Sequence, residues 1–259
     1  MEEIFSPGFY QTVIISMSVL ALIVFIALQK LTAGYGMMYT PAWGPTIGNR
    51  AGWIIMEAPA FFGMLLLWLL SPHRAETVPS VLALLFMLHY FQRTFIFPLL
   101  IKGKSRMPWA IIAMGAVFNF INSYLLAGWI FYLAPADYYT ISWLWSPQFI
   151  IGTLIFFAGM AINIQSDSKV RNLRKPGDTR HYIPRGGAYR YVTSGNYFGE
   201  LVEWIGFAIL TWSAAGAVFV LWTFANLAPR AKKLHSRYLK EFGDEYARLN
   251  RRYIIPFIY

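Results

Sequence analysis

The stretch SVLALLFMLHYFQRTFIFPLLI, residues Ser80–Ile101, decides how the fold of this chain is interpreted. It is apolar and long enough to cross a bilayer as a helix, which takes about 20 residues. Its middle nevertheless contains His89, Tyr90, Gln92 and Arg93. A polar side chain that faces lipid without a partner is costly. The sequence therefore predicts that these side chains face other helices or a cavity and not lipid.

The composition indicates a membrane protein along the whole chain. Of the 259 residues, 57% are hydrophobic and only 13% are charged, roughly half the charged share of an average soluble domain. The predicted spans are Phe9–Leu28, Gly52–Leu70, Ser80–Ile101, Pro108–Leu133, Gln148–Gln165, Gly199–Trp212 and Ala214–Leu227. The last two are short and adjoin at Ser213, so we predict a helical hairpin there. We expect an all-α integral membrane protein with about seven transmembrane helices, in which residues 1–259 form a single membrane-embedded domain.

The basic residues predict the orientation of these spans. If the N-terminus is outside, all but Arg74 and Arg93 of the 22 Lys and Arg residues lie on the cytosolic side. This positive-inside asymmetry predicts an external N-terminus and a cytosolic C-terminus. It also accounts for the net charge of +10 without a nucleic-acid partner. The first span has an acidic leader and no small-residue cleavage site, so we expect it to be retained. The predicted location is the inner membrane for a bacterial chain and the endoplasmic reticulum for a eukaryotic one.

Several kinds of chemistry are excluded by the residues themselves. The chain has no cysteine, which excludes disulfides, iron–sulfur ligation and thiol catalysis. P-loop, HExxH and GxSxG motifs do not occur. The four histidines have no convincing metal-ligand spacing, and we expect no metal site; they are His73, His89, His181 and His235.

Glu57 and Tyr90 are the residues that suggest a reaction site. Glu57 lies within the second predicted span, in WIIMEAPAFFG, and an intramembrane carboxylate usually faces a cavity or a partner. At 1.5 Å per helical residue, the depths of Glu57 and Tyr90 allow the two to meet, although depth alone does not require it. A phenol beside a carboxyl group is a ready proton donor in a dry pocket. We interpret His89, Gln92 and Arg93 instead as a polar seam that holds helices together.

The segment Ser166–Gly195 is basic, rich in turns and too irregular to span the membrane. This segment and its neighbours resemble the steroid 5α-reductase (3-oxo-5α-steroid 4-dehydrogenase) family. The matching motifs are GYG at Gly34–Gly36, the pair Trp53 and Glu57, LHYFQRTF at Leu88–Phe95, GMAINIQSD at Gly159–Asp167, RNLRKPGDT at Arg171–Thr179, IPRGG at Ile183–Gly187, YVTSGNYFGELVEW at Tyr191–Trp204, RAKKLHSRYLKEF at Arg230–Phe242 and IIPFIY at the end. IPRGG is weak alone, whereas LRKPGDT and NYFGE together are specific. Gln92, where relatives often have His, departs from the pattern.

The resemblance implies a seven-helix membrane fold and NADPH-dependent reduction of the C4–C5 double bond of a 3-oxo-Δ4 steroid. It implies that Tyr90 and Glu57 act at the C3 carbonyl, and that Trp53 and Trp204 form apolar walls for the steroid. The residues that it carries into the cofactor shell are Asn163, Asp167, Arg174, Asn196, Glu200, Arg230, His235 and Tyr238. The implied partners are the steroid and membrane lipids, and we expect no obligate protein partner.

Other functions remain open at this stage. The enzyme alternatives are a related reductase of sterol or enoyl-lipid double bonds and a membrane methyltransferase with a similar C-terminal ending. A methyltransferase would not need Tyr90 and Glu57 together. From another class, a seven-helix receptor or transporter would use Glu57 and Arg93 as ligand or ion sites, but does not require the basic segment followed by NYFGE.

Overall fold

The computed structural model describes residues 3–103, 105–173, 178 and 180–259. Arg174, which the sequence analysis places in the cofactor shell, lies outside the described residues. The helices of the described part are α1 (Pro7–Lys30), α2 (Asn49–Leu70), α3 (Thr77–Phe91), α4 (Phe97–Leu100), α5 (Trp109–Gly128), α6 (Pro147–Arg171), α7 (Gly195–Thr211), α8 (Ala214–Phe242) and α9 (Asp244–Ala247).

Within the described ranges, five helical stretches are long and apolar enough to cross a membrane. They are Pro7–Lys30, Asn49–Leu70, Thr77–Leu100, Trp109–Leu133 and Pro147–Arg171. The third runs from α3 through the π-helical residues Gln92–Ile96 into α4, and the fourth adds the π-helical Trp129–Leu133 to α5. These stretches confirm that the first five predicted spans are apolar helices.

The predicted hairpin at Ser213 is confirmed as a helical structure. Helix α7 ends at Thr211, and α8 begins at Ala214 with the Ser213 hydroxyl accepting a hydrogen bond from the Gly216 backbone N–H. This is the usual capping role of a serine, which satisfies a backbone donor that the first helical turn leaves unpaired. That both helices cross the membrane stays a prediction.

Three features differ from the sequence-based expectation. Helix α6 continues to Arg171, so the first part of the segment 166–195 is helical rather than irregular. Helix α8 continues beyond Leu227 to Phe242. Its later half is amphipathic, so the search for apolar spans did not predict it. A short antiparallel strand pair, β1 (Thr46–Gly48) with β2 (Arg106–Pro108), joins the loops that precede α2 and α5. Three-residue strands carry too little pattern to be predicted.

Helices α6 and α7 pack closely because glycines face the opposite backbone at several levels. A Cβ at Gly159 would overlap the backbone of Glu203, and one at Gly199 would overlap the backbone of Asn163. Gly206 lies against the backbone of Phe156 in the same way. Small residues allow membrane helices to approach closely. The approach brings the polar ends of α6 and α7 next to each other, and the site described below uses both.

The buried core is aromatic and lies between α3, α7 and α8. Phe86 of α3 and Phe207 of α7 are fully buried, and their ring centroids are 5.8 Å apart. Trp204 of α7 packs against Phe219 of α8 with centroids 4.2 Å apart. Such large rings fix the distance between helices through many van der Waals contacts. The core therefore supports α3 one turn before the polar residues His89 and Tyr90.

Candidate active site

A cavity of about 620 Å³ lies between the helices. This volume is in the range of small-molecule sites, roughly 300–1,000 Å³. Glu57 of α2, Tyr90 of α3 and a residue not singled out by the sequence, Asn119 of α5, lie on its wall. The predicted site residues that also line it are Trp53, Asp167, Asn196, Glu200, Arg230 and Tyr238.

Tyr90, Asn119 and Glu57 form a chain of hydrogen bonds. The Tyr90 hydroxyl donates to Asn119 Oδ1 at 3.1 Å, and Asn119 Nδ2 donates to Glu57 Oε2 at 3.0 Å. The same Nδ2 donates to the backbone carbonyl of Met56 at 2.8 Å. The three residues are only 3%, 4% and 9% exposed, respectively. The structure thus brings the predicted pair together, with an amide between the phenol and the carboxyl group.

A second polar group links α3 and the π-helical segment to α6 and α7. His89 Nδ1 lies 2.8 Å from Glu203 Oε1. Arg93 donates from Nη1 to Asp167 Oδ2 at 3.0 Å and from Nη2 to Glu200 Oε2 at 3.5 Å. Buried charges need such partners, because an unpaired one is strongly destabilising. The interpretation of His89 and Arg93 as a helix-joining seam is confirmed.

Arg93 is the second residue of the π-helical segment Gln92–Ile96. Its guanidinium group also lies over two aromatic rings. The distance to the ring centroid is 4.7 Å for Trp53 and 4.4 Å for Phe97. A π-helical turn holds more residues than an α-helical turn and re-aims the side chains around it. Arg93 is therefore held by carboxylates on one side and by rings on the other, and Trp53 is held at the cavity wall.

The predicted cofactor residues of α6 and α7 form one amide–carboxylate network. Asn163 Nδ2 donates to the Asn196 carbonyl at 2.9 Å, and Asn196 Nδ2 donates to Asp167 Oδ1 at 2.9 Å. Asn196 and Asp167 line the cavity, whereas Asn163 is not among the described residues of its wall. Asn163 holds the backbone of Asn196 through this hydrogen bond, and a direct contact between Asn163 and a cofactor stays a prediction.

Arg230 of α8 connects the loop after α1 to α7. Its Nε donates to the Tyr197 hydroxyl at 2.8 Å, and its Nη1 and Nη2 donate to the carbonyls of Ala33 and Tyr35 at 3.0 and 2.9 Å. Its guanidinium carbon also lies 3.7 Å from the centroid of the Tyr35 ring. Among the described residues no carboxylate pairs with Arg230, so its positive charge at the cavity wall is not neutralised.

Tyr238 and His235 lie further along α8, beyond the predicted seventh span. Tyr238 lines the cavity, and burial raises the pKa of its phenol to about 12. His235 Nδ1 lies 2.8 Å from Thr193 Oγ1, which is 2.7 Å from the Tyr246 hydroxyl. Burial, together with the charge of Arg251, lowers the pKa of His235. His235 is not among the described cavity residues, and its role toward a cofactor stays a prediction.

Trp204 belongs to the aromatic core. Its ring packs 4.4 Å from the His89 ring and 4.2 Å from the Phe219 ring, and it is 2% exposed. It is not among the described residues of the cavity wall. Its predicted contact with substrate therefore stays a prediction, while its packing beneath His89 is a clear structural role.

Asn119 and Lys233 are among the polar wall residues that the sequence analysis missed. Asn119 is a polar residue in the middle of an apolar span, AVFNFINSY, but polarity alone does not separate a catalytic amide from one that joins helices. Lys233, which lines the cavity near Arg230, is one of many cations in the basic C-terminal region. Nothing in the sequence around Lys233 separates it from basic residues that only set the orientation of the chain in the membrane.

Apolar helices long enough to cross a membrane, with a buried cavity between them that holds an amide-bridged phenol and carboxyl group, define a multi-pass membrane protein with a candidate active site. A family model described as 3-oxo-5-alpha-steroid 4-dehydrogenase matches residues 105–259. The chain belongs to this family. It is accordingly an oxidoreductase that acts on CH–CH groups, and the resemblance inferred from the motifs is confirmed.

Individual relatives agree over nearly the whole chain. Steroid 5-alpha-reductase DET2 of Arabidopsis thaliana is 37% identical over 265 residues, with 100% of both chains covered. The 3-oxo-5-alpha-steroid 4-dehydrogenase 1 of Homo sapiens is 39% identical over 238 residues, with 91% of this chain and 90% of the relative covered. The protein of the same name from Macaca fascicularis is 40% identical over 233 residues, with 89% and 87% covered.

Proposed function

We propose that this enzyme reduces the C4–C5 double bond of a 3-oxo-Δ4 steroid to the 5α-steroid with NADPH. The observation that carries the proposal is the hydrogen-bonded chain of Tyr90, Asn119 and Glu57 on the wall of a cavity between apolar helices. The names of the relatives, steroid 5-alpha-reductase and 3-oxo-5-alpha-steroid 4-dehydrogenase, point to the same substrate class.

The chemistry explains why a buried hydrogen-bond donor is needed. An isolated alkene does not accept hydride, whereas an enone does. When hydride bonds to C5, the π electron pair of C4–C5 forms a C3–C4 double bond and the π pair of the carbonyl moves onto its oxygen, which gives an enolate. A donor aimed at that oxygen stabilises the developing enolate. Tyr90 supplies such a donor, and its low exposure keeps competing water away from the hydroxyl group. A proton from solvent on the neighbouring carbon completes the saturated ketone.

Glu57 has two alternative roles beside Tyr90, and each predicts a different turnover rate for the Glu57→Gln variant. As a neutral carboxyl group it would donate a second hydrogen bond to the substrate carbonyl; as a carboxylate it would only orient Tyr90 through Asn119. In Glu57→Gln the amide still donates, so turnover survives in part if Glu57 is a neutral donor. If a charge or a transferable proton is needed, turnover falls nearly as far as in Tyr90→Phe. Single-turnover rates with saturating NADPH and steroid separate the two roles.

The residues near the cavity fit a nicotinamide cofactor, which when bound supplies the hydride. Asn49 Oδ1 and Ser194 Oγ belong to cavity residues and are buried, and neither atom has a hydrogen-bond partner among the residues that the structure describes. Buried polar atoms are normally paired, so these two atoms are available to a bound polar group. Asp167, Asn196 and Glu200 add the amide and carboxylate oxygens that bind ribose hydroxyls and a carboxamide.

The phosphates of such a cofactor need positive charge, and the same cavity provides it. Arg230 has no carboxylate partner among the described residues, and Lys233 donates to Thr32 Oγ1 at 3.0 Å. Charge-assisted hydrogen bonds to phosphate are stronger than neutral ones. These two cations support binding of a dinucleotide at the α8 side of the cavity, and Arg174 remains a further predicted phosphate ligand.

The proposal is tested with purified protein in lipid nanodiscs. We expect NADPH to be consumed when a 3-oxo-Δ4 steroid is added, and chromatography coupled to mass spectrometry to show a product that elutes with the authentic 5α standard and not with its 5β epimer. The matched control is the same Δ4 steroid with a 3-hydroxyl group instead of the carbonyl, which cannot form an enolate and should not be reduced. Equal reduction of both steroids, or reduction of only an enoyl lipid or another sterol double bond, would contradict the proposal.

A further inference from the structure

We infer that Asn119 is a positioning residue that aims the hydroxyl hydrogen of Tyr90 and holds the carboxyl group of Glu57 before substrate arrives. The inference deepens the proposed function and rests on it. It assigns to α5 a part in the reaction, although the sequence motifs that suggested the site lie on other helices.

The hydrogen bonds determine which way the Asn119 amide faces. Nδ2 lies 2.8 Å from the carbonyl oxygen of Met56, which can only accept, and 3.0 Å from Glu57 Oε2. The amide nitrogen has two hydrogens, and these two acceptors use both. The remaining atom, Oδ1, lies 3.1 Å from the Tyr90 hydroxyl. Because Oδ1 carries no hydrogen, Tyr90 must be the donor in this pair.

The single hydroxyl hydrogen of Tyr90 has two competing acceptors. A phenol has one hydrogen, so Tyr90 donates either to Asn119 Oδ1 or to a substrate carbonyl. Asn119 Oδ1 is itself a carbonyl-type oxygen, so it accepts the hydrogen bond from the Tyr90 hydroxyl in the way that a 3-oxo group would. When the substrate carbonyl takes over this hydrogen bond, Nδ2 of Asn119 stays fixed between Met56 and Glu57. The carboxyl group thus keeps its place while the phenol changes acceptor.

The surroundings make this arrangement stiff. Asn119, Glu57 and Tyr90 are all less than a tenth exposed, and hydrogen bonds in such low-dielectric surroundings constrain geometry more strongly than at a wet surface. The anchor is a backbone atom, the Met56 carbonyl, in the same helix as Glu57. Rotation of the Asn119 side chain would break three hydrogen bonds at once. A misplaced donor costs a large factor in rate even when it is still present.

The main test is a double-mutant cycle on turnover. Asn119→Leu, similar in size and unable to hydrogen-bond, should lower kcat with the 3-oxo-Δ4 steroid about 10- to 100-fold, the size of one lost orienting contact. The dissociation constant of NADPH should stay within about twofold. Because part of the Asn119 effect acts through Tyr90, adding Asn119→Leu to Tyr90→Phe should lower kcat by a clearly smaller factor than Asn119→Leu does in the parent. Fully multiplicative losses, or a near-parent kcat in Asn119→Leu, overturn the inference.

Two further variants keep the test informative. Ser123→Ala changes a buried hydroxyl one turn along α5 that donates to the Phe120 carbonyl, and it should leave kcat near the parent value. If Asn119→Leu does not fold, Asn119→Ala, which adds no bulk, takes its place in the cycle. The same kcat loss in Ser123→Ala would mean that any change in α5 impairs the enzyme, and would overturn a specific role for Asn119.

A second readout separates failure of this inference from failure of the proposed function. The unfolding temperatures of Asn119→Leu, Tyr90→Phe and the double variant are compared without substrate. If the hydrogen bond exists, the two single shifts add up to more than the shift of the double variant, by about 2 °C or more. If the parent does not reduce the steroid but this coupling is present, the proposed function fails and the Tyr90–Asn119 link stands. Additive shifts overturn the link, whatever the activity.

Discussion

The hydroxyl of Tyr90 is the single group on which the proposed chemistry depends most. It projects from α3 into a cavity and donates to an amide oxygen that resembles a ketone. Phenylalanine at this position keeps the ring packing against Phe86, whose centroid is 4.6 Å away. The hydroxyl can therefore be removed without emptying the space that the ring fills.

We expect Tyr90→Phe to lower turnover of a 3-oxo-Δ4 steroid about 100- to 1000-fold, which is typical for loss of one donor to a developing oxyanion. The affinity for NADPH, measured by quenching of protein fluorescence, should change little, because the Tyr90 hydroxyl is not among the groups proposed to hold the cofactor. A parent-like rate would mean that the phenol serves packing alone.

At this scale the sequence predicted some residues and missed others for a physical reason. Glu57 and Tyr90 stood out because ionisable and phenolic groups are unusual inside an apolar span. Asn119 carries no charge, and amides occur in membrane helices simply to join them. Only the three-dimensional structure distinguishes an amide that bridges two reactive groups from one that joins helices. His89 and Arg93, by contrast, were correctly assigned to the seam.

At the scale of elements, the close packing of α6 and α7 places Asp167 and Asn196 side by side. Gly159 and Gly199 were quoted within motifs, but their role depends on which backbone lies opposite, and one sequence does not contain that information. The helix ends were easier to predict where a proline or serine marks them, as at Ser213, than where α6 and α8 continue into polar sequence.

Gly159→Ala tests this packing. A Cβ there would overlap backbone atoms of Glu203 and Gly199, which cannot yield unless α6 and α7 move apart. Overpacking typically costs about 1–3 kcal/mol, so we expect the unfolding temperature to fall by several degrees. Gly8→Ala in α1 is the matched control, because nothing lies within 4 Å of its Cβ position, and it should not destabilise. Equal unfolding temperatures for Gly159→Ala and the parent would contradict the packing argument.

The contact between α8 and the C-terminal residues predicts a pH dependence of stability. Burial and the charge of Arg251 lower the pKa of His235 below its ordinary value of 6.5. The unfolded chain therefore binds a proton more readily than the folded protein, and stability is lost as the pH falls from about 6.5 toward the folded-state pKa. Without cofactor, the unfolding temperature should drop more between about pH 7.5 and 5.5 in the parent than in His235→Asn. Parallel curves for the two proteins would remove His235 as the cause.

At the scale of the whole molecule, three connections meet at one end of the helices. The Tyr139 hydroxyl donates to the Thr211 carbonyl at 2.6 Å, which joins the α5–α6 connection to the turn between α7 and α8. The Ser71 hydroxyl at the end of α2 donates to the Phe131 carbonyl at 3.3 Å. In the predicted topology all three connections are external. The turn at Ser213 therefore reaches as far as the loops of the five long spans, which supports full crossing by α7 and α8.

The basic segments lie together at the opposite end of the helices, as the positive-inside asymmetry predicts. Arg50 donates to the Ile101 carbonyl, and Lys102 donates to Asn172 Oδ1 at 2.7 Å. Arg230 reaches the Ala33 carbonyl at 3.0 Å in the same way. Charge counting from the sequence placed these segments together, and their contacts put them at the same end of the helices; on which side of the membrane this end lies stays a prediction. Charge counting did not predict which of these cations would also line the cavity, because that depends on how α8 is rotated about its axis.

The seven-span topology can be tested directly because the chain contains no cysteine. Single cysteines are introduced at exposed positions: Ala75→Cys between α2 and α3, Ala214→Cys at the start of α8, and Ser236→Cys in its later half. The variants are expressed in bacterial cells, where the predicted location is the inner membrane. With a membrane-impermeant maleimide, we expect labelling of the first two while that membrane is intact, and of Ser236→Cys only after permeabilisation. Labelling of Ala214→Cys only after permeabilisation would show that α7 and α8 do not cross. Labelling of Ser236→Cys in intact cells would reverse the orientation, because it would place the basic half of α8 on the outer side.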